Sequence, residues 1–125
     1  MKIQASAEDY LEAIFVLSKN KNNVRAVDIV GYMGFSRPTV SIALKQFREN
    51  DYITIDAGRN ITLTDKGYQI AKQTYERHTL IAQFLMAVGV DEETALADAC
   101  KMEHSISEKS FECLTEYYKT HLASK

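Results

Sequence analysis

Three residues in the C-terminal half of the chain, Cys100, Glu103 and His104, are of types that bind metal ions in proteins. Their spacing of i, i+3 and i+4 places them on one face of a helix. Leu96 and Ala99 share that stripe, so we expect Cys100 and Glu103 on the buried side. A buried carboxylate needs a partner because an unpaired buried charge is costly, and a divalent metal is the simplest partner. The pattern favours a metal sensor.

Three further residues are candidate ligands on other elements. Asp9 and Glu12 are spaced i, i+3 at the edge of the apolar stripe of a first helix, and His78 lies on a long later helix. Each has an ordinary structural explanation. The two carboxylates could simply favour the positive end of the helix dipole. A single histidine at the edge of a stripe is commonly a hydrogen-bonded core residue.

The spacing of apolar and capping residues predicts six helices and one β-hairpin. Caps are expected at Ser6, Ser36, Thr64, Asp91 and Ser107, and stops at Gly34 and Gly89. The hairpin is predicted to pair residues 52–55 with 61–63. Two details concern packing: Val88 is expected on the apolar stripe of the long helix, and Cys113 is expected to pack as a small hydrophobic residue.

The order of helix, short helix, tight turn, helix and hairpin is typical of a winged helix-turn-helix. In that fold the second helix of the pair enters the major groove of DNA with its N-terminal residues foremost. Arg59, at the predicted hairpin tip, would reach phosphate or the minor groove. A surface helix with ordinary capping is the alternative. The candidate DNA-binding residues are Ser36, Arg37, Pro38, Thr39, Ser41 and Arg59.

Composition excludes several other classes of protein. The chain has 125 residues and a net charge of −2. It contains only two cysteines, and this number argues against a disulfide scaffold. No apolar run approaches the length of a membrane span, and the N-terminus lacks a signal segment, so we expect a cytoplasmic protein. Residues 1–78 carry 11 Lys and Arg against 9 Asp and Glu, whereas residues 79–125 carry 4 against 8. The first part is therefore mildly basic and the second acidic.

As a set, five motifs in order along the chain resemble the diphtheria toxin repressor family, and within it the manganese transport regulator branch. They are Glu8-Asp9-Tyr10-Leu11-Glu12, Ser36-Arg37-Pro38-Thr39-Val40-Ser41, Leu63-Thr64-Asp65-Lys66-Gly67, Arg77-His78 and Ala99-Cys100-Lys101-Met102-Glu103-His104. The resemblance implies a mainly α fold with a small hairpin: a winged helix over residues 1–64 and a helical metal-binding and dimerisation domain over residues 65–125. It also implies a homodimeric, metal-activated repressor of operator DNA, not an enzyme, with no small-molecule substrate.

The resemblance implies a mixed ligand set of Asp9, Glu12, His78, Cys100, Glu103 and His104. Asp9 and Glu12 match manganese-type members, whereas Cys100 matches iron-type members. The iron-type ancillary site is expected to be absent in its usual form, because Ala82 and Leu96 stand at two of its positions. We therefore expect Mn²⁺ or Fe²⁺ as the cognate ion, with Zn²⁺, Co²⁺ or Cd²⁺ binding in vitro.

Three other functions are compatible with parts of the pattern. One is a winged-helix regulator without metal that senses a small molecule or an oxidant through Cys100. The second is a small metalloenzyme that activates water at His78, Cys100 and His104. The third is a protein-interaction module whose acidic half binds a partner. Sensitivity of DNA binding to a chelator separates the metal-dependent repressor from all three.

Overall fold

A computed structural model of the chain describes residues 5–122, and the predicted mainly α fold with one hairpin is confirmed. Its elements in chain order are α1 (Ala5–Asn20), α2 (Ala26–Met33), α3 (Arg37–Glu49), β1 (Ile53–Ile55), β2 (Ile61–Leu63), α4 (Asp65–Ala87), α5 (Glu92–Met102), α6 (Glu108–Tyr117) and a π-helical turn (Tyr118–Leu122). The α-helices follow because each apolar stripe recurs at helical spacing between recognisable caps.

Four of the predicted caps are confirmed as hydrogen bonds, whereas the prediction for Ser6 is wrong, because α1 begins at Ala5 and Ser6 lies inside the helix. Ser36 Oγ accepts from the backbone N–H of Thr39, 3.3 Å away, and Thr64 Oγ1 accepts from that of Gly67 at 3.1 Å. Asp91 and Ser107 cap α5 and α6 in the same way. Gly34 ends α2 in the left-handed conformation, with φ of 74°. The four side-chain caps pair with backbone N–H groups that a helix leaves without a partner at its start.

In the N-terminal unit, α3 and the hairpin share one apolar core. β1 and β2 are antiparallel with Ile53 opposite Leu63, and the backbone N–H of Ile61 donates to the carbonyl of Val24, 2.7 Å away. One side of α3 is buried, and the other side, including the residues predicted to read DNA, faces solvent. The buried side chains of α3 are Val40, Leu44 and Phe47.

The chain divides into two compact units between Thr74 and Tyr75, inside α4. The predicted domain boundary after residue 64 stays a prediction. In the C-terminal unit Ile81 and Ala82 of α4 pack with Ala99 of α5. The expectation for Val88 is wrong: it is 59% exposed, because α4 ends at Ala87 and Gly89 turns the chain away. Within residues 5–122, no helix has both the length and the hydropathy needed to cross a bilayer.

Candidate metal centre and DNA-facing surface

Glu103 is a buried carboxylate at the end of α5. Its backbone N–H donates to the carbonyl of Ala99, 3.0 Å away, so it continues the helical turn that buries Ala95 and Ala99. The side chain is almost inaccessible, and its two carboxylate oxygens accept no hydrogen bond from the described residues. A carboxylate in that position is unfavourable unless a cation joins it.

Two imidazoles flank this carboxylate. His78 Nδ1, from α4, lies 3.4 Å from Glu103 Oε2, and His104 Nε2 lies 3.2 Å from Oε1. Cys100 completes a group with His78 and Glu103 in which one ligand atom from each residue lies within 4.8 Å of the other two. Nitrogen, sulfur and oxygen donors so close together suit a divalent transition metal. The residues therefore fit the metal that the sequence predicted.

The predicted burial of Cys100 is wrong, and the stripe on which it was based is right for Ala99 and wrong for Leu96. Cys100 is exposed and Leu96 is 41% exposed, whereas Ala95, Ala99 and Glu103 form the buried line of α5. Ala99 packs against Ile81 and Ala82 of α4. Cys113 is exposed as well and does not pack as a core residue. Glu103 alone of the predicted pair is buried.

Arg77, which the sequence analysis did not single out as a functional residue, braces the turn that carries Glu103 and His104. Its Nη1 donates to the carbonyls of Glu103 and Ile106, at 3.2 and 3.4 Å, and its Nη2 lies 2.9 Å from a carboxylate oxygen of Glu108. The guanidinium also lies over the Phe111 ring, 5.2 Å from its centre. Only its position beside His78 in the sequence could have drawn attention to it.

Asp9 and Glu12 lie one turn apart on α1, in the N-terminal unit, and both are half-buried. Their predicted role as metal ligands stays a prediction. The other four predicted ligands lie in the C-terminal unit and are brought together there. They are His78, Cys100, Glu103 and His104.

All six residues predicted to contact DNA are exposed. A groove of about 650 Å³ runs between α3 and the hairpin, and it is lined by four basic side chains and one acidic one, Asp56. The basic residues are Arg25, Lys45, Arg48 and Arg59. A single positively charged groove of this kind suits a phosphate backbone. Arg25 was missed by sequence reasoning, because it precedes α2 and no local pattern links it to the hairpin.

The hairpin tip holds Arg59 in a defined conformation. Asp56 accepts hydrogen bonds from the backbone N–H and the side-chain Nδ2 of Asn60, at 2.9 and 3.2 Å. These bonds, the backbone one foremost, hold the pKa of Asp56 below its usual range. Arg59 has φ of 64°, a left-handed conformation that a side chain with a Cβ rarely adopts. The backbone of the hairpin tip is therefore strained at Arg59, the residue that carries its positive charge.

Comparison with known proteins places this geometry in a family. Residues 2–59 match the domain described as "Iron dependent repressor, N-terminal DNA binding domain", and residues 64–121 match "Iron dependent repressor, metal binding and dimerisation domain". The chain is 32% identical over 123 residues to the HTH-type transcriptional regulator MntR of Bacillus subtilis, covering 96% of this chain and 87% of that protein. The chain belongs to the iron-dependent repressor family.

Two solved structures of the iron-dependent repressor type share the fold. The manganese regulator SloR superposes with a TM-score of 0.80 at 29% identity, covering 95% of this chain and 55% of that one. A manganese-dependent transcriptional repressor in complex with manganese gives 0.81 at 25% identity, covering 90% and 52%. The chain therefore spans about half the length of these two solved chains. The predicted winged-helix fold and family resemblance are confirmed.

Within the iron-dependent repressor family, the two matched domains coincide with the two groups of candidate residues. Residues 2–59 contain the basic groove, and residues 64–121 contain His78, Cys100, Glu103 and His104. Metal-type donors therefore lie in the domain that the family uses for metal and dimerisation. The positively charged groove lies in the domain that the family uses for DNA.

Proposed function

We propose that this chain is a metal-dependent transcriptional repressor that binds operator DNA as a homodimer when it is loaded with Mn²⁺ or Fe²⁺, and so controls metal homeostasis. The observation that carries the proposal is Glu103, a buried carboxylate with no hydrogen-bond donor among the described residues and with two imidazoles and a thiol around it. Such a group is explained by a bound cation more simply than by packing.

In this proposal His78, Cys100, Glu103 and His104 hold the metal from the C-terminal unit, and Asp9 and Glu12 contribute from α1. A bound divalent ion would supply positive charge that offsets the carboxylates and thiolate. The residues themselves must be deprotonated to bind it, so affinity should fall with decreasing pH. Asp9 and Glu12 link metal occupancy to the half of the chain that carries α3.

The basic groove supports DNA as the partner. Arg25, Lys45 and Arg48 stand along it, and Arg59 is presented from the hairpin tip. The N-terminus of α3 is free of acidic residues in its first turn, which favours the approach of phosphate. We place the protein in the cytoplasm, where operator DNA is accessible, and assign it no catalytic activity.

The decisive experiment measures DNA binding with and without metal. A pool of randomised duplexes is selected on the purified protein in MnCl₂, and the selected duplex is used in mobility shifts with Mn²⁺, anaerobic Fe²⁺ or EDTA. We expect EDTA to release the DNA and Mn²⁺ or Fe²⁺ to restore the complex. Binding that ignores EDTA would instead favour the metal-independent regulator.

Two Arg59 variants test the contact between the hairpin tip and DNA. Arg59→Gly removes the charge while suiting the left-handed backbone, so it should not lower folding stability. Arg59→Lys keeps the charge in the same backbone and serves as the matched control. Because a homodimer presents two hairpin tips, loss of both phosphate contacts should reduce the slope of log affinity against log salt by about 1.8 in Arg59→Gly only. If the salt dependence of Arg59→Gly equals that of the wild type, the hairpin tip does not contact DNA. That result would not bear on the proposed metal centre.

A further inference from the structure

Ile42 is the most exposed large hydrophobic side chain among those described, at 62%. It lies on α3, two residues before the buried Leu44, which places it about 160° around the helix at about 100° per residue. It therefore projects from the side of α3 opposite the core, between Pro38 one turn earlier and Lys45 one turn later. A side chain there contributes nothing to the packing of the N-terminal unit.

Polar and charged residues lie near Ile42 along α3. Ser41 and Lys45, on one side of it, line the basic groove, and Arg37 stands at the start of the same helix. An isolated apolar side chain among hydroxyl and cationic groups fits a polyanion that offers a small apolar feature. Duplex DNA has such a feature in its major groove, the 5-methyl group of thymine.

We infer that Ile42 is a specificity-determining residue, which selects thymine in each half-site by apolar contact with its 5-methyl group. The inference rests on the proposed function, because α3 must enter the major groove for the contact to form. Isoleucine has no donor or acceptor, so it cannot read the hydrogen-bonding edges of the bases. Its branched side chain is also stiff in a helix, and little rotamer freedom is lost on contact.

The experiment compares thymine with uracil, which differ only by this methyl group. The duplex selected by the wild type in MnCl₂ is resynthesised with deoxyuridine in place of one thymidine at a time. At one position per half-site we expect the wild type to bind about fourfold more weakly, the factor that corresponds to burial of one methyl group at about 0.8 kcal/mol. Ile42→Ala removes the contact from both half-sites of the homodimer. It should therefore bind the thymine duplex about as weakly as the wild type binds a duplex with uracil at that position in both half-sites, and it should not respond to the replacement.

Ile42→Val is the matched control, since it keeps a branched apolar side chain and should retain part of the thymine preference. Because Ile42 is exposed, all variants should show the wild-type thermal unfolding midpoint. If every uracil replacement leaves wild-type affinity unchanged, or if Ile42→Ala responds to uracil as the wild type does, the inference is wrong while metal-dependent DNA binding stands. If no duplex is selected from the pool with metal, both the inference and the proposed function fail.

Discussion

Replacement of Glu103 by glutamine should stabilise the metal-free protein and remove its response to metal. The substitution keeps the shape of the side chain but removes a charge that is 98% inaccessible and receives no hydrogen bond from the described residues. A buried group without its hydrogen bonds costs about 1–3 kcal/mol, and more when it is charged. The free energy of unfolding without metal should therefore rise by at least about 1 kcal/mol in Glu103→Gln.

The same variant should lose the stabilisation that metal gives to the wild type. A ligand present at about 100 times its dissociation constant adds about 2.7 kcal/mol to the stability of the state that binds it. For a chain of this size about 1 kcal/mol moves the unfolding midpoint by about 4 °C. The wild type should therefore gain about 10 °C with Mn²⁺, and Glu103→Gln should gain almost nothing while starting about 4 °C higher in chelator.

Thermal unfolding followed by circular dichroism at pH 8, in EDTA and in MnCl₂, measures both effects. Glu112→Gln is the matched control, because that carboxylate is exposed on α6 and its removal should change neither midpoint. A metal-free Glu103→Gln that is less stable than the wild type, or that still gains about 10 °C with Mn²⁺, would refute the reasoning.

Three further substitutions test other parts of the structure. Cys100→Ser exchanges a soft donor for a hard one and should weaken Zn²⁺ binding more than Mn²⁺ binding; equal losses in competition titrations would contradict a ligand role. The Lys21 hydrogen bond holds the pKa of Asp28 below its usual value, so its stabilisation is present above about pH 4 and is lost as pH falls through the folded-state pKa. Urea unfolding should accordingly show Asp28→Asn less stable by up to about 1 kcal/mol at pH 7 and by less at pH 3, and a constant difference would argue against the pair. In Gly67→Ala the new Cβ would overlap the carbonyl oxygen of Tyr52, and we expect a loss of about 1–3 kcal/mol in the same assay, whereas wild-type stability would show that the backbone adjusts freely.

The helix boundaries were predictable because they depend on local chemistry. Ser36, Asp91 and Ser107 cap their helices through backbone groups three residues away, and Gly34 ends α2 within its own turn. Interactions over such short separations can be read from neighbouring residue types. The fold class followed from their order.

Burial within α5 was not predictable to the same degree. Leu96 is more apolar than Ala95, so hydrophobicity alone predicts Leu96 on the buried side beside Ala99, whereas the structure buries Ala95 with Ala99 and leaves Leu96 exposed. The orientation of α5 depends on the residues of α4 that pack against it, Ile81 and Ala82, and no pattern within α5 indicates them. Glu103 is buried, as predicted, although the same prediction also placed Leu96 and Cys100 on the buried side.

Contacts between distant parts of the chain were also beyond local patterns. Arg77 Nη1 meets the carbonyl of Glu103 across 26 residues, and Arg25 Nε meets Asn60 Oδ1 across 35. Neither arginine stands in a stripe or a cap signature that marks it for function. Both support residues that the sequence did identify, one at the metal centre and one at the hairpin tip.

Glu103 connects the candidate metal centre to α6, because its side chain lies in the centre and its backbone carbonyl is linked to α6 through Arg77. Its carboxylate faces the imidazoles of His78 and His104, and its backbone carbonyl accepts from Arg77, whose other nitrogen meets Glu108 in the first turn of α6. On α6, Phe111 and Leu114 are half-buried and Tyr117 is 52% exposed in the single chain, which leaves apolar area for a second copy in a domain of the dimerising type. If a cation fixes the carboxylate, the carbonyl, the guanidinium and the start of α6 are restrained with it. Linkage then requires that dimer formation strengthen metal binding by the same factor by which metal strengthens the dimer.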